Sequence, residues 1–125
     1  MSGPSERAKQ LLSGVLAKEL YVIQSTGVAP REQIEASLEE HLEHQIRLEK
    51  SGVLFAAGPT VNEDGSRGPG MIVVRAKSFA DAREIAMSDP LHRTGMRSFT
   101  IMKWSLNEGS YSVRVNYSDQ SVYID

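Results

Sequence analysis

The chain has 125 residues, 40% of them hydrophobic and 24% charged, with 16 acids against 14 bases and a formal net charge of −2. That length suits one domain with a real core, and the slight acidic balance leaves no basic excess to neutralise phosphates, which argues against nucleic acid as a partner. No apolar run approaches the ~20 residues of a membrane span, the charged start "MSGPSERAKQLLSGVLAKE" lacks the apolar core of a signal peptide, and the absence of cysteine removes disulfides, thiolate nucleophiles and cysteine-based metal sites together, so a cytoplasmic protein without membrane contact is expected.

Residues 5–18 carry Ala8, Leu11, Leu12, Val15 and Leu16 at helical spacing, with Gly14 weakening the pattern by about 1 kcal/mol relative to alanine. "LYVIQS" (20–25) is short and β-rich and predicts a strand, followed by a loop over 26–30. A long helix is expected over 31–51, stopped by Gly52 as its C′ residue. "VLFAAG" (53–58) and "MIVVRA" (71–76) predict the second and third strands. Between them "PTVNEDGSRGPG" (59–70) reads as a hairpin arm or flap. Ser78 with Asp81 resembles a capping box and opens a helix over 79–87. That helix must end near Asp89, because Pro90 disfavours helical geometry in the residue before it. A short turn over 90–96 and a fourth strand, "SFTIMKW" (98–104), follow. The tail 110–125 alternates through Tyr111, Val113, Val115 and Tyr117, with "SDQS" as a turn into a second short strand.

The order β-α-β-β-α-β over 20–104 predicts an α+β, ferredoxin-like fold: an antiparallel sheet with two helices on one face. The expected layout is an N-terminal helical extension (1–19), the ferredoxin-like domain (20–105) and a C-terminal β extension (106–125). The four strands are apolar on both faces, and two helices cover only one. A further layer is therefore expected, either a second copy of the chain, sheet against sheet in a twofold dimer, or the N-terminal helix folding across.

One residue breaks the pattern of the first core helix. At about 100° per residue, Ile34, Leu38, His41, Gln45 and Leu48 share one stripe, with Leu42 flanking it and Glu39, Glu43, Arg47 and Lys50 opposite. His41 and Gln45 are thus the polar residues aimed at the sheet, and His44 lies at the stripe's edge. His41 is either a core histidine with satisfied ring nitrogens or a general acid/base, work that suits an imidazole of pKa about 6.5. The second role needs an orienting carboxylate. Asp89 is the candidate, since it ends a helix where the macrodipole disfavours an anion. Asp before Pro is also a natural N-cap for the next turn, and the two roles are compatible.

Other candidates are weaker. His41, His44 and His92 have no spacing of the HExxH kind, so no metal site is expected. "GSRGPG" lacks the Lys-Ser/Thr of a phosphate loop, although Arg67 on a flap could bind an anion. His92 and Arg93 follow the Asp-Pro turn and are either surface or substrate-orienting residues. Tyr21, Ser25 and Trp104 are most simply strand packing.

Together "YVI", "HLEHQIRLEKSGVLFAAGP", "AKSFADAREIAMSDP" and the closing "IMKW" resemble the YciI-like family over about 20–104. The resemblance implies a ferredoxin-like dimeric α+β barrel. It also implies a His/Asp pair, carried here by His41 and Asp89, beside the Gly58-Pro59 turn. The chemistry it implies is proton abstraction with elimination, of the dehydrochlorinase type; isomerases and small monooxygenases occur in the wider barrel superfamily. The chain departs from the family in Leu91, where an aromatic often follows Asp-Pro, in the more polar His92-Arg93, and in both added ends. The resulting expectation is a small enzyme acting without a cofactor, a lyase or isomerase. His41 would move a proton, Asp89 would hold its ring, and Gln45, Gly58, Pro59, His92 and Arg93 would bind a small acidic or phenolic metabolite of aromatic breakdown. Arg93 would favour a carboxylate, since its fork pairs bidentately. The alternatives are a non-enzymatic ligand-binding module and an accessory protein whose sheet and tail serve assembly.

Overall fold

The computed structural model describes residues 3–125. These form two compact units, Glu19–Ser105 and, separately, the chain up to Lys18 together with Leu106–Asp125. In the larger unit four strands, β1 (Lys18–Gly27), β2 (Leu54–Gly58), β3 (Gly70–Val74) and β4 (Arg97–Leu106), form one sheet in the order β2-β3-β1-β4. β1 and β2 each pair antiparallel with β3, and β4 lies on the far side of β1. This is the ferredoxin-like arrangement that the element order predicts.

The buried side chains of the helix-facing core come from alternate strand positions and from one helix. Tyr21, Ile23, Ile72 and Val74 meet Ala82 and Ala86 of α4 (Phe79–Met87), with Phe99 and Ile101 of β4 packed against them. Tyr21 meets Phe79 edge-on at 5.1 Å between ring centroids, an arrangement aromatic quadrupoles favour. Continuous burial holds only for the two central strands, through Leu20–Ile23 and Ile72–Val74. The edge strands differ from expectation: β4 alternates, and Met102 and Trp104 remain 49% and 40% exposed. An edge strand has a neighbour on one side only, so its apolar run does not by itself secure burial of both faces.

The helix expected over 31–51 is two helices, α2 (Arg31–Ala36) and α3 (Leu38–Lys50), divided at Ser37 (φ −104°, ψ 8°). There the Ser37 N–H bonds Ile34 O, three residues back, closing one helix, while the Ser37 carbonyl accepts from His41 N–H and opens the next. Gly52, at φ +83°, follows as the left-handed residue that ends α3. At the start of α4, Ser78 Oγ accepts from Asp81 N–H at 3.0 Å, and Asp81 answers the Lys77 N–H at 2.8 Å. The reciprocal cap thus reaches one residue further back than a capping box does. Asp89 then caps α5 (Pro90–Arg93), with Pro90 at its first position.

In the smaller unit α1 covers Glu6–Ser13, shorter than expected because Gly14 takes the C-cap. Leu16 N–H bonds Asn107 O at 3.1 Å, tying the two ends of that unit together. β5 (Val113–Val115) and β6 (Val122–Ile124) form an antiparallel hairpin. Its turn is set by Asp119 Oδ1, which accepts from both Ser121 N–H and Ser121 Oγ–H.

Candidate active site

Within the larger unit a cleft of about 740 Å³ opens between the α2–α3 face and the β2–β3 hairpin, a size that suits a small-molecule site. Its helical wall carries Ile34, Leu38, His41, Leu42, Gln45 and Ile46. The stripe read from the sequence therefore survives the break at Ser37. Leu38, Leu42 and Ile46 are 43%, 50% and 50% exposed, so they face the cleft rather than a packed core. The opposite wall includes Gly58, Pro59 and Met71, where β2 and β3 meet.

His41 stands in the helical wall and joins Asp89 through Nδ1–Oδ2 at 2.7 Å. The Asp89 side chain is 4% exposed and that of His41 19%. Asp89 uses its other oxygen, Oδ1, to accept the Leu91 N–H at 2.9 Å, so one carboxylate caps α5 and holds the imidazole. Burial pushes the Asp89 carboxyl up, but the hydrogen bonds from His41 and Leu91, with the nearby His41 and His92 rings, outweigh it and hold it below the ordinary carboxylate range. An ionised carboxylate only accepts, so His41 Nδ1 carries the hydrogen. His41 Nε2 makes no hydrogen bond among the described residues and is the nitrogen left for a ligand.

A second histidine lies close by in a different setting. His92 is 5% exposed and leans on Phe99 at 4.8 Å between ring centroids. Its Nδ1 meets Ala86 O at 2.7 Å and its Nε2 meets Ser25 Oγ at 2.6 Å. A carbonyl only accepts, so Nδ1 carries the hydrogen. Burial lowers the His92 pKa against the opposing effects of the Ala86 bond and Asp89, which favours the neutral ring at neutral pH, and in that form Nε2 accepts from Ser25 O–H. Ser25 Oγ in turn accepts from Arg97 Nε at 2.8 Å, and Ser25 O accepts from Arg97 Nη2 at 2.7 Å.

Of the residues named from the sequence, His41, Gln45, Gly58, Pro59 and Arg67 line the cleft. His92 and Arg93, expected to orient a substrate, do not line this cleft. His92 is buried with both ring nitrogens engaged, and exposed Arg93 turns back to donate to Ser88 O at 3.3 Å. His44 also stands apart, with Nε2 against Ser88 Oγ at 3.0 Å and a pKa lowered chiefly by burial. Polar lining residues that sequence reasoning did not assign to a site include Glu35, Glu49, Arg97 and, taken there for packing, Ser25. Ser25 left a signal: it follows Tyr21 and Ile23 at the strand period, a polar residue on the inward face of β1. Arg97, at the start of an edge strand, left none.

A model of the YCII-related domain family matches residues 18–105. The chain belongs to that family. Among solved structures this YCII-related protein is similar to the 5-chloro-2-hydroxyhydroquinone dehydrochlorinase TftG from Burkholderia phenoliruptrix AC1100, determined in complex with 2,5-dihydroxybenzoquinone. The two are 17% identical over 68% of this chain and 92% of that one, with a TM-score of 0.55, a likeness of fold. No curated protein matches the chain. Among the described residues no helix is long and apolar enough to cross a membrane.

Proposed function

We propose that this YCII-related protein is a small enzyme in which His41 moves a proton on a small acidic or phenolic metabolite, in an elimination or isomerisation belonging to the breakdown of aromatic compounds. The observation that carries the reading is the 2.7 Å contact between His41 and buried Asp89 at the wall of a ligand-sized cleft. Asp89 fixes the tautomer with hydrogen on Nδ1, which leaves the Nε2 lone pair for a substrate proton, and its charge stabilises the imidazolium that results. Elimination needs a base to take one proton while the leaving group departs with its bonding pair. Isomerisation needs the same base to return the proton at a second atom. Gln45 beside His41, and Gly58-Pro59 across the cleft, would position the ring.

TftG supplies a first assay. Chloride release from 5-chloro-2-hydroxyhydroquinone is measured for wild type and His41→Ala, with an expected loss on the order of 10²–10⁴-fold. Turnover undiminished in His41→Ala would remove the proton-transfer role. Binding of 2,5-dihydroxybenzoquinone without any chloride release, and indifferent to His41→Ala, would instead favour a binding module. We take the working unit to be a homodimer, as half-exposed Met102 and Trp104 give β4 an apolar face that a second copy would cover. A monomer by light scattering at assay concentration would refute this.

A further inference from the structure

Arg97 offers the cleft something that proton transfer at His41 does not use. A guanidinium presents five N–H groups in a plane, two along the edge that carries Nε and two more between Nη1 and Nη2. Ser25 occupies the first edge completely, its Oγ taking Nε–H and its carbonyl one Nη2–H. The edge formed by Nη1 and the second Nη2–H makes no hydrogen bond among the described residues. Ser25 cannot release its hold by rotating, because its hydroxyl hydrogen is committed to neutral His92, whose other nitrogen is committed to Ala86 O. The guanidinium is therefore locked in one plane by a directional chain running Arg97 to Ser25 to His92 to Ala86.

Among the described residues no carboxylate touches that positive charge, although Asp89, already bound to His41 and Leu91, lies near enough to favour it. No ion pair joins Arg97 or Arg67 to a carboxylate among the described residues. Arg67, carried by the loop between β2 and β3, lines the same cleft and is close enough to oppose Arg97's charge. Glu35 and Glu49 also line the cleft, but Glu35 is bound to Arg31 at 2.9 Å. Gly27 and Gly70 flank the guanidinium, where an added Cβ would make only ordinary contact with Nη1 at 3.6 Å and Nη2 at 3.7 Å.

We infer that the open edge of Arg97, with Arg67 from the β2–β3 loop, is an anion subsite facing His41's cleft. The substrate class is then a planar organic anion that spreads its charge over two neighbouring oxygens, as a carboxylate does. This deepens the proton-transfer reading and rests on the same cleft: the arginines hold the anionic end of the molecule whose proton His41 moves. Ser25 and His92 are positioning residues, acting through Arg97.

The test uses benzoate and its neutral isostere benzamide as probes, titrated into isotopically labelled full-length protein and followed by amide NMR shifts. Charge-assisted hydrogen bonds of this kind predict that wild type binds benzoate about 10- to 100-fold more tightly than benzamide. Arg97→Gln abolishes the preference. Arg97→Lys loses most of it too, because an ammonium cannot hold both Ser25 oxygens and still present a planar fork. Arg67→Gln, on an exposed loop where folding is not at stake, weakens benzoate about 2- to 5-fold and leaves benzamide unchanged. Equal affinity of wild type for the two probes overturns the subsite. So does unchanged benzoate affinity in Arg67→Gln, or a preference retained in a folded Arg97 variant. None of these results touches the chloride-release test of His41. Conversely, a benzoate preference that follows the arginines while His41→Ala keeps full turnover leaves the subsite standing and removes only the proton-transfer step.

Discussion

His41 and His92 both lie near enough to Asp89 to influence its charge and differ in one decisive respect. His41 has one nitrogen held by the carboxylate and the other unengaged at the wall of the cleft. His92 has both nitrogens engaged, by a carbonyl and a hydroxyl, inside the core. An imidazole can exchange protons with a ligand only through a nitrogen the protein has left alone. By that criterion His41 keeps a nitrogen for the proposed proton transfer, and His92 does not. Residue type alone does not separate them, since both are histidines within a few residues of an apolar stripe or a turn.

The largest effect expected from this contrast is on rate. His41→Ala lowers turnover on the order of 10²–10⁴-fold, a loss beyond the stability it costs by leaving Oδ2 of buried Asp89 without its partner. His92→Ala does the reverse, shifting the urea midpoint while the proton-transfer step retains its base. If the two variants lose rate and stability in equal measure, the distinction is wrong.

Asp89→Asn comes next, because the carboxylate serves both His41 and α5. The amide still caps but no longer fixes the tautomer, so turnover falls on the order of 10²-fold or more. The sign of its pH dependence follows from its depressed pKa. The stabilisation from the charged carboxylate is complete above the unfolded value of about 3.9 and is lost as pH falls through the lower folded value. Urea melts of wild type and Asp89→Asn should therefore differ at neutral pH and converge as pH falls below the ordinary carboxylate range. A difference that stays constant with pH would mean the charge contributes nothing.

Ser25→Ala leaves Arg97 Nε and His92 Nε2 without their partner in a buried setting, at a cost of about 1–3 kcal/mol. A double-mutant cycle with His92→Gln should show a coupling of about 0.5–3 kcal/mol; independent effects would break the chain apart. The smallest effect is a gentle acid sensitivity. His44 and His92 both have lowered folded pKa values, so below about pH 6.5 the unfolded chain binds protons that the native protein refuses. Stability then declines from about pH 6.5 toward the folded values, and the slope flattens in His92→Gln, as chemical unfolding at several pH values would reveal.

Much of the architecture was legible along the chain. Short β-rich apolar runs placed all four sheet strands, and the 3.6-residue period placed the core helices, the first of them as one helix where the structure has two. Ser78, Pro90 and Gly52 marked ends that the structure keeps, because each acts on its own backbone or its near neighbours. The break at Ser37 was not legible, since a serine at that spacing fits an unbroken stripe. The site was half legible. His41 stood out as a polar residue on an apolar face, and Asp89 as an anion at a helix end. Arg97 lines the cleft and Arg93 does not, because sequence spacing from the Asp-Pro turn says nothing about which arginine returns to the cleft along β4.

What the order of residues settled was local: element types, caps, the apolar stripe with its odd histidine, and hence the ferredoxin-like order of strands and helices. Those features depend on backbone geometry and on contacts within a turn or two of the chain. Tertiary structure alone decided which charged and polar groups meet. It joined residues 48 apart at His41–Asp89, 67 apart at Ser25–His92 and 72 apart at Ser25–Arg97. Such pairings arise where elements distant in the chain pack side by side, α3 beside α5 and β1 beside α5 and β4, and there the packing, not the spacing in the chain, determines which imidazole nitrogen and which guanidinium edge stay unengaged.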